Sequence, residues 1–136
     1  MRAQASLETL LVLAAMFTLL AVLVPVANRV RSEAEGAVVA SRASLALDML
    51  AEVGEEVSVL GSSERLELSL GAESELEVFE HAAEIRIANR TVSRELSFRA
   101  EPRQLVLGKG RNVLLLKLRD GAVQVELVTS EATREP

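Results

Sequence analysis

The chain has 136 residues, enough for one domain of ordinary size and one extended element. Hydrophobic residues make up 49% of it, but Trp and Tyr are missing, so the apolar side chains are mostly Leu, Val and Ala. The lack of cysteine excludes disulfide bonds, thiolate metal ligands and a cysteine nucleophile. The formal net charge of -5 gives the chain no electrostatic attraction to nucleic acid.

An uncharged run extends from Leu10 to Ala27. Its 18 residues are apolar apart from Thr18. As a helix, the run is just long enough to span the hydrocarbon core of a bilayer. Because it is apolar on every side, lipid or protein has to surround it, and the rest of so small a chain cannot do so.

Three interpretations of this run are open. A cleaved secretory signal fits poorly, because Glu8 lies at its edge, only Arg2 precedes it, and Pro25 would fall within the cleavage site. A permanent single-pass anchor is the simplest interpretation. Its orientation is not specified, since Arg2 flanks one end while Arg29 and Arg31 flank the other. The third interpretation uses the residues that precede the run.

The segment Arg2-Ala3-Gln4-Ala5-Ser6-Leu7-Glu8 resembles the class III signal peptide of archaeal type IV pilin-like proteins. The resemblance implies that a prepilin peptidase cuts between Ala3 and Gln4 and leaves the apolar run on the mature chain. Glu8 then becomes the fifth mature residue and Pro25 the twenty-second. These are positions at which type IV pilins commonly carry a Glu and a helix-kinking Pro. The resemblance covers about the first 25 residues.

Glu8 is the carboxylate at the edge of the run, where a charge is costly unless it is paired. Cleavage before Gln4 would create an α-amino group, which would attract the Glu8 of a neighbouring subunit strongly in a low-dielectric filament core. We also expect Glu8 to lie in the first helical turn, where the macrodipole favours an anion. The alternative is that Glu8 only marks the membrane interface.

Beyond the run, the pattern predicts one amphipathic helix continuous with the apolar segment. A helix from Gln4 to about Leu60 is roughly 85 Å long, so its first half is expected to protrude from so small a domain. It is expected to bend at Pro25, which lacks a backbone donor and clashes with the carbonyl of Ala21, although such a bend need have no function. The predicted buried stripe consists of Val30, Ala34, Val38, Ser41, Leu45, Met49, Val53 and Val57.

Strand-like patterns begin at Glu64. Four segments alternate apolar and polar residues, and two more continuously apolar segments are predicted to be central strands buried on both faces. Asp120-Gly121 predicts a type I′ hairpin turn. The alternating segments are 65–70, 76–79, 84–87 and 123–127, and the continuously apolar ones are 105–107 and 113–118.

These elements predict an α+β fold, in which the second half of a long N-terminal helix packs on an antiparallel β-sheet domain of about six or seven strands. The predicted segments are a leader at 1–3, the helix at 4–60, the β domain at 62–129 and a frayed tail at 130–136. Within the helix, residues 4–28 form the membrane anchor or filament core and residues 29–60 are amphipathic.

The sequence predicts no enzyme, and we expect no catalytic residue, metal or cofactor. His81 is the single histidine, which excludes a multi-histidine metal site, and no nucleophile-elbow pattern accompanies it. His81 is predicted to lie in a turn between strands. The Gly108-Lys109-Gly110-Arg111 segment lacks the Walker spacing and is predicted to be a basic hairpin turn. The glutamates form no EF-hand loop.

Asn89-Arg90-Thr91 is an N-glycosylation sequon in a predicted turn, so Asn89 is a candidate glycan acceptor if the chain is exported.

We therefore expect a structural subunit that is inserted in the membrane, processed by prepilin peptidase and polymerised with copies of itself into an extracellular filament, with adhesion as one role. Gln4, Glu8 and Pro25 are the predicted assembly residues. The alternative, from a different class, is a monomeric, single-pass, membrane-anchored extracellular binding or assembly domain. The sequence does not distinguish a major pilin from a minor pilin, an adhesin or an archaellin.

Overall fold

The computed structural model of the protein describes residues 2–132. The chain divides into two compact units, residues 1–37 and residues 38–136. One helix is followed by seven strands within the described residues. These elements are α1 (Arg2–Leu60), β1 (Ser63–Leu70), β2 (Ser74–Val78), β3 (Ala82–Ile87), β4 (Arg90–Glu95), β5 (Arg103–Leu107), β6 (Gly110–Arg119) and β7 (Ala122–Ala132).

The predicted unbroken helix ending near Leu60 is confirmed, since α1 continues across Pro25 to Leu60. The helix ends at Gly61, which adopts a left-handed conformation with φ of 65°. The backbone N-H of Gly61 donates to the carbonyl of Val57 at 2.9 Å and so caps the last turn. Glycine has no Cβ and adopts this conformation without steric strain. The bend at Pro25 and the protrusion of the first half stay predictions.

The predicted α+β class is confirmed, but the strands form two antiparallel sheets rather than one. One sheet has the order β1-β6-β7 and the other has the order β4-β3-β2-β5. Strand β1 pairs with the distant β6 and not with the neighbouring β2. Alternation within a strand reports which face is buried, but it carries no information about the partner strand, so the sequence pattern did not separate the two sheets.

Two strand predictions were wrong. Strand β4 was missed because Arg90–Glu95 is largely exposed and charged, a composition typical of an edge strand. Strand β5 was predicted to be central, but it lies at a sheet edge with β2 as its strand partner, and Val106 is 66% exposed. Strand β6 is central as predicted. It buries one face, with Asn112, Leu114 and Leu116, and leaves the other half-buried.

The turn between β6 and β7 has the predicted geometry. Asp120 and Gly121 have φ values of 51° and 78°, and Arg119 pairs directly with Ala122. Both central residues therefore have the positive φ that a type I′ turn requires. Strand β7 continues to Ala132, beyond the predicted limit of the β domain at Thr129.

The turn between β5 and β6 connects the two sheets, so the predicted hairpin at Lys109 is wrong. The buried side chain of Asn112 stabilises this crossing. Its amide donates to the carbonyls of Gly108 and Gly110 at 2.9 and 3.1 Å, and its Oδ1 accepts from the N-H of Gly108 at 3.0 Å. One buried polar side chain thus provides hydrogen-bond partners for backbone groups of Gly108 and Gly110, where the chain crosses from one sheet to the other.

The second half of α1 packs into the core through a different face from the one predicted. Of the predicted stripe, Val57 is buried and Val53 partly so, whereas Val38 and Leu45 are 53% and 60% exposed. This segment carries two apolar faces, and helical period alone does not decide which one meets the sheets. The sheets pack against the face that contains both small and large apolar residues. The buried residues are Ala43, Ala46, Leu47, Leu50, Gly54 and Val57.

Two contacts fix the position of this half of the helix on the β domain. The ring of Phe98, from the segment between β4 and β5, lies directly against Gly54, so that a Cβ at this position would overlap the ring. One turn and a half earlier, the Asp48 carboxylate pairs with the Arg94 guanidinium of β4 at 3.0 Å. Gly54 is therefore a packing position, although by propensity alone it only weakens the helix.

We predict that Gly54→Ala destabilises the β domain. Overpacking against Phe98 costs about 1–3 kcal/mol, which exceeds the gain of about 1 kcal/mol that Ala brings to a helix. Urea unfolding of the full chain in detergent measures the loss. In a Phe98→Leu background the ring is removed, and the same change should become neutral or stabilising. Equal destabilisation in both backgrounds would contradict this account of Gly54.

Candidate membrane and assembly segment

Residues 2–35 of α1 are all exposed. This part of the helix contains a stretch that is long and apolar enough to cross a membrane, and none of that stretch is buried within the chain. Large side chains along it are open on every side of the helix; for example, Phe17 is 68% exposed, Leu20 is 51% and Val24 is 53%. The described residues therefore leave the whole surface of this rod available to lipid or to another protein.

The two hydroxyl groups near and within the run are satisfied locally. The Thr9 hydroxyl donates to the carbonyl of Ala5 at 2.8 Å, and the Thr18 hydroxyl donates to the carbonyl of Ala14 at 2.8 Å. Back-bonding of this kind gives the hydroxyl proton a partner without any water. These two hydroxyl groups thus meet the requirement of a non-aqueous environment that polar groups find partners within the helix.

Charged pairs mark the end of the run. Arg29 Nε lies 3.1 Å from Glu33 Oε1, and Arg31 Nε lies 2.8 Å from Glu35 Oε1. The hydrogen bond to Glu35 raises the pKa of Arg31 above its usual value, and the attraction between the charges acts in the same direction. All four side chains are largely exposed, so these pairs contribute little stability. They place the polar boundary of the apolar segment immediately after Asn28.

Glu8 lies within α1 and is exposed, and no residue in the described range 2–132 pairs with it. In the unprocessed chain α1 includes Arg2 and its first turn contains no acidic residue, so the placement of Glu8 in the first turn of a chain that starts at Gln4 stays a prediction. The helix macrodipole acts mainly within the first turn, so it stabilises this carboxylate little. Any counter-charge for Glu8 would therefore come from outside the described residues.

The other predicted assembly residues lie on the same helix. Ala3 and Gln4 are exposed near its start, and Gln4 shares a face with Glu8 because the two are four residues apart. Pro25 lies near the opposite end of the run. The structure thus brings Gln4 and Glu8 together, while the predicted positive partner of Glu8 would belong to another copy of the chain.

Asn89 is exposed in the two-residue turn between β3 and β4. Ile87 pairs with Arg90 across this turn, and Ala88 has a φ of 52°. The side chain of Asn89 is therefore accessible to a modifying enzyme, as expected of a glycan acceptor.

His81 lies in the turn between β2 and β3, as predicted, and its side chain is exposed. Its backbone carbonyl accepts a hydrogen bond from the N-H of Leu96 at 2.8 Å. Among the residues that the structure describes, no group of three or more His, Cys, Asp or Glu side chains is arranged to hold a metal ion.

The sequence did not reveal an open groove between α1 and β1. The groove has a volume of about 230 Å³, and we call it the helix–β1 groove. Leu45 and Met49, which were predicted to be core residues, form part of it and are 60% and 37% exposed. The residues that line it are Arg42, Leu45, Ala46, Met49, Glu67, Leu68 and Ser69.

No protein-family model, curated protein or solved structure matches the chain. The resemblance to pilin-like proteins thus rests on the segment from Arg2 to Glu8 and on the positions of the apolar run and Pro25.

Proposed function

We propose that the chain is the structural subunit of an extracellular type IV pilus-like filament of the archaeal kind. The precursor is inserted in the membrane through its apolar helix, and a prepilin peptidase removes residues 1–3. The mature chain then polymerises through residues 4 to about 30, with the β domain facing outward.

The observation that carries this proposal is the complete exposure of the apolar run in a helix that also bears an unpaired carboxylate. A single-pass anchor accounts for the run, since lipid covers an apolar rod equally well. With such an anchor, Glu8 would only mark the membrane interface, and no group of the described residues pairs with it. A filament supplies both a protein surface for the rod and the α-amino group of a neighbouring Gln4 for Glu8.

The balance between membrane and filament depends on packing and charge. The helix exchanges lipid for protein neighbours, so removal from water contributes little to assembly. Close packing between helices and the pairing of the Glu8 charge with a cation then determine which state is favoured. In a low-dielectric core, the attraction between Glu8 and a new α-amino group is much stronger than it would be in water.

Processing is the first test of this proposal. Mass spectrometry of the exported chain should show a mature N-terminus at Gln4, because cleavage between Ala3 and Gln4 is what creates the partner for Glu8. Unprocessed precursor from cells without the peptidase provides the reference mass. Retention of Met1 to Ala3 on the exported chain would favour the monomeric membrane-anchored domain instead.

Mass spectrometry of peptides from the exported chain also shows whether Asn89 is glycosylated. We predict a glycan there on the exported chain, since the sequon lies in an exposed turn. Asn89→Gln should remove the added mass without changing the thermal unfolding of the β domain. An unmodified Asn89 peptide from exported material would reject the glycan but leave the filament proposal in place.

Removal of the Glu8 charge tests the assembly mechanism. We predict that Glu8→Ala lowers the yield of filaments by about tenfold or more, because the partner cation is then left buried and unpaired. Electron microscopy and pelleting of surface filaments measure the yield. The matched control is Glu52→Ala, which removes an exposed carboxylate of the same helix outside the apolar run.

Thermal unfolding in detergent should show that both variants keep the β domain folded, since neither side chain is part of the core. Normal filaments from Glu8→Ala would count against charge pairing as the basis of assembly.

A further inference from the structure

The helix–β1 groove is an apolar surface that the chain leaves open. Leu45 and Met49 of α1 border it on one side and Leu68 of β1 on the other, with Ala46 between them. Leu68 and Ala46 are buried at its base, whereas Leu45 is 60% exposed. Because Ala46 is small, an apolar rod could approach the backbone of α1 closely at this point.

Two charged side chains lie at the rim of the groove, and only one of them is paired. Glu67 is already paired, with its carboxylate 2.7 Å from the Arg111 guanidinium. Arg42 is exposed and has no ion-pair partner among the described side chains. It extends toward the β1–β2 turn, where a Cβ on Gly71 would lie 3.6 Å from its Nη1. The groove therefore combines an apolar floor with one uncompensated positive charge.

The apolar run of the same chain has the complementary features. It is exposed over its full length, and the carboxylate beside it, Glu8, has no partner in the described residues. We propose that the helix–β1 groove receives the N-terminal apolar helix of a second copy, with Arg42 pairing with the Glu8 of that copy. This inference rests on the proposed filament function and specifies which surface of the β domain takes part.

The proposed pairing is compatible with the α-amino partner. A carboxylate has two oxygens with about four lone-pair sites, so Glu8 can accept hydrogen bonds from an α-amino group and from Arg42 together. Subunits of a helical filament repeat head to tail, so their helices point in the same direction. With Glu8 beside Arg42, the residue one turn after Glu8, Leu11, then lies beside the residue one turn after Arg42, Leu45.

The chain contains no cysteine, so an engineered pair can report this contact without background. We expect Leu11→Cys combined with Leu45→Cys to give a ladder of disulfide-linked oligomers in assembled filaments under mild oxidation. The control pair is Leu11→Cys with Val106→Cys, because Val106 is 66% exposed on β5 and outside the groove. It should give no ladder.

Charge reversal provides a second measurement. Arg42→Glu should reduce the filament yield about tenfold, while Arg42→Lys should retain much of it. Lys109→Glu serves as the matched control, because Lys109 is an exposed cation in the turn between β5 and β6. Circular dichroism should show that each variant is folded, as Arg42, Leu45 and Lys109 are all surface side chains.

The outcomes separate this inference from the filament proposal. Normal filaments that lack the 11–45 disulfide and tolerate Arg42→Glu would overturn the groove contact alone. That result is also expected if lipid or an unrelated protein occupies the groove. Failure of the wild-type chain to form any filament would overturn both proposals.

Discussion

The structure depends on one constraint, which is that an apolar helical segment from Leu10 to Ala27 has to be covered. None of it is buried by the described residues. Burying a Leu, Val or Phe side chain is worth about 1.5–3 kcal/mol, so leaving the whole run in water would cost on the order of tens of kcal/mol. A typical domain is stable by only about 5–15 kcal/mol. Lipid or another protein surface is therefore needed to cover this segment.

The need to cover the apolar run also bears on the roles of Glu8 and of the helix–β1 groove. A bilayer covers the apolar surface and leaves Glu8 at its interface, whereas the proposed filament would supply cations as well as apolar contacts. The β domain also presents an exposed apolar surface. Its groove leaves Leu45 and Met49 exposed on the outer side of the helix, while Leu47 and Leu50 fill the core on the inner side. One stretch of helix thus packs one apolar face on its own sheets and leaves a second apolar face exposed.

Features encoded locally were predictable from the sequence, and those decided by tertiary contact were not. The helix limit at Leu60, the turn at Asp120-Gly121 and the α+β class follow from periodicity and turn chemistry. The division into two sheets depends on the pairing of β1 with β6, which alternation does not encode. The buried helical face was misassigned because both faces are apolar, and Gly54 gained its significance only from contact with the distant Phe98. The apolar run and Glu8 could be identified because their residues are adjacent in the sequence. The groove could not, because folding brings Leu45 and Leu68 together from distant parts of the chain.

The central claim is that the apolar helix exchanges lipid for copies of itself. Sedimentation velocity of the processed full-length chain after detergent removal tests it most directly, with hydrogen exchange reporting the state of residues 10–27. The account predicts long polymers in which these residues are protected from exchange by their neighbours. A monodisperse monomer that stays dispersed in plain buffer, with the same residues protected beneath its own sheets, would contradict it.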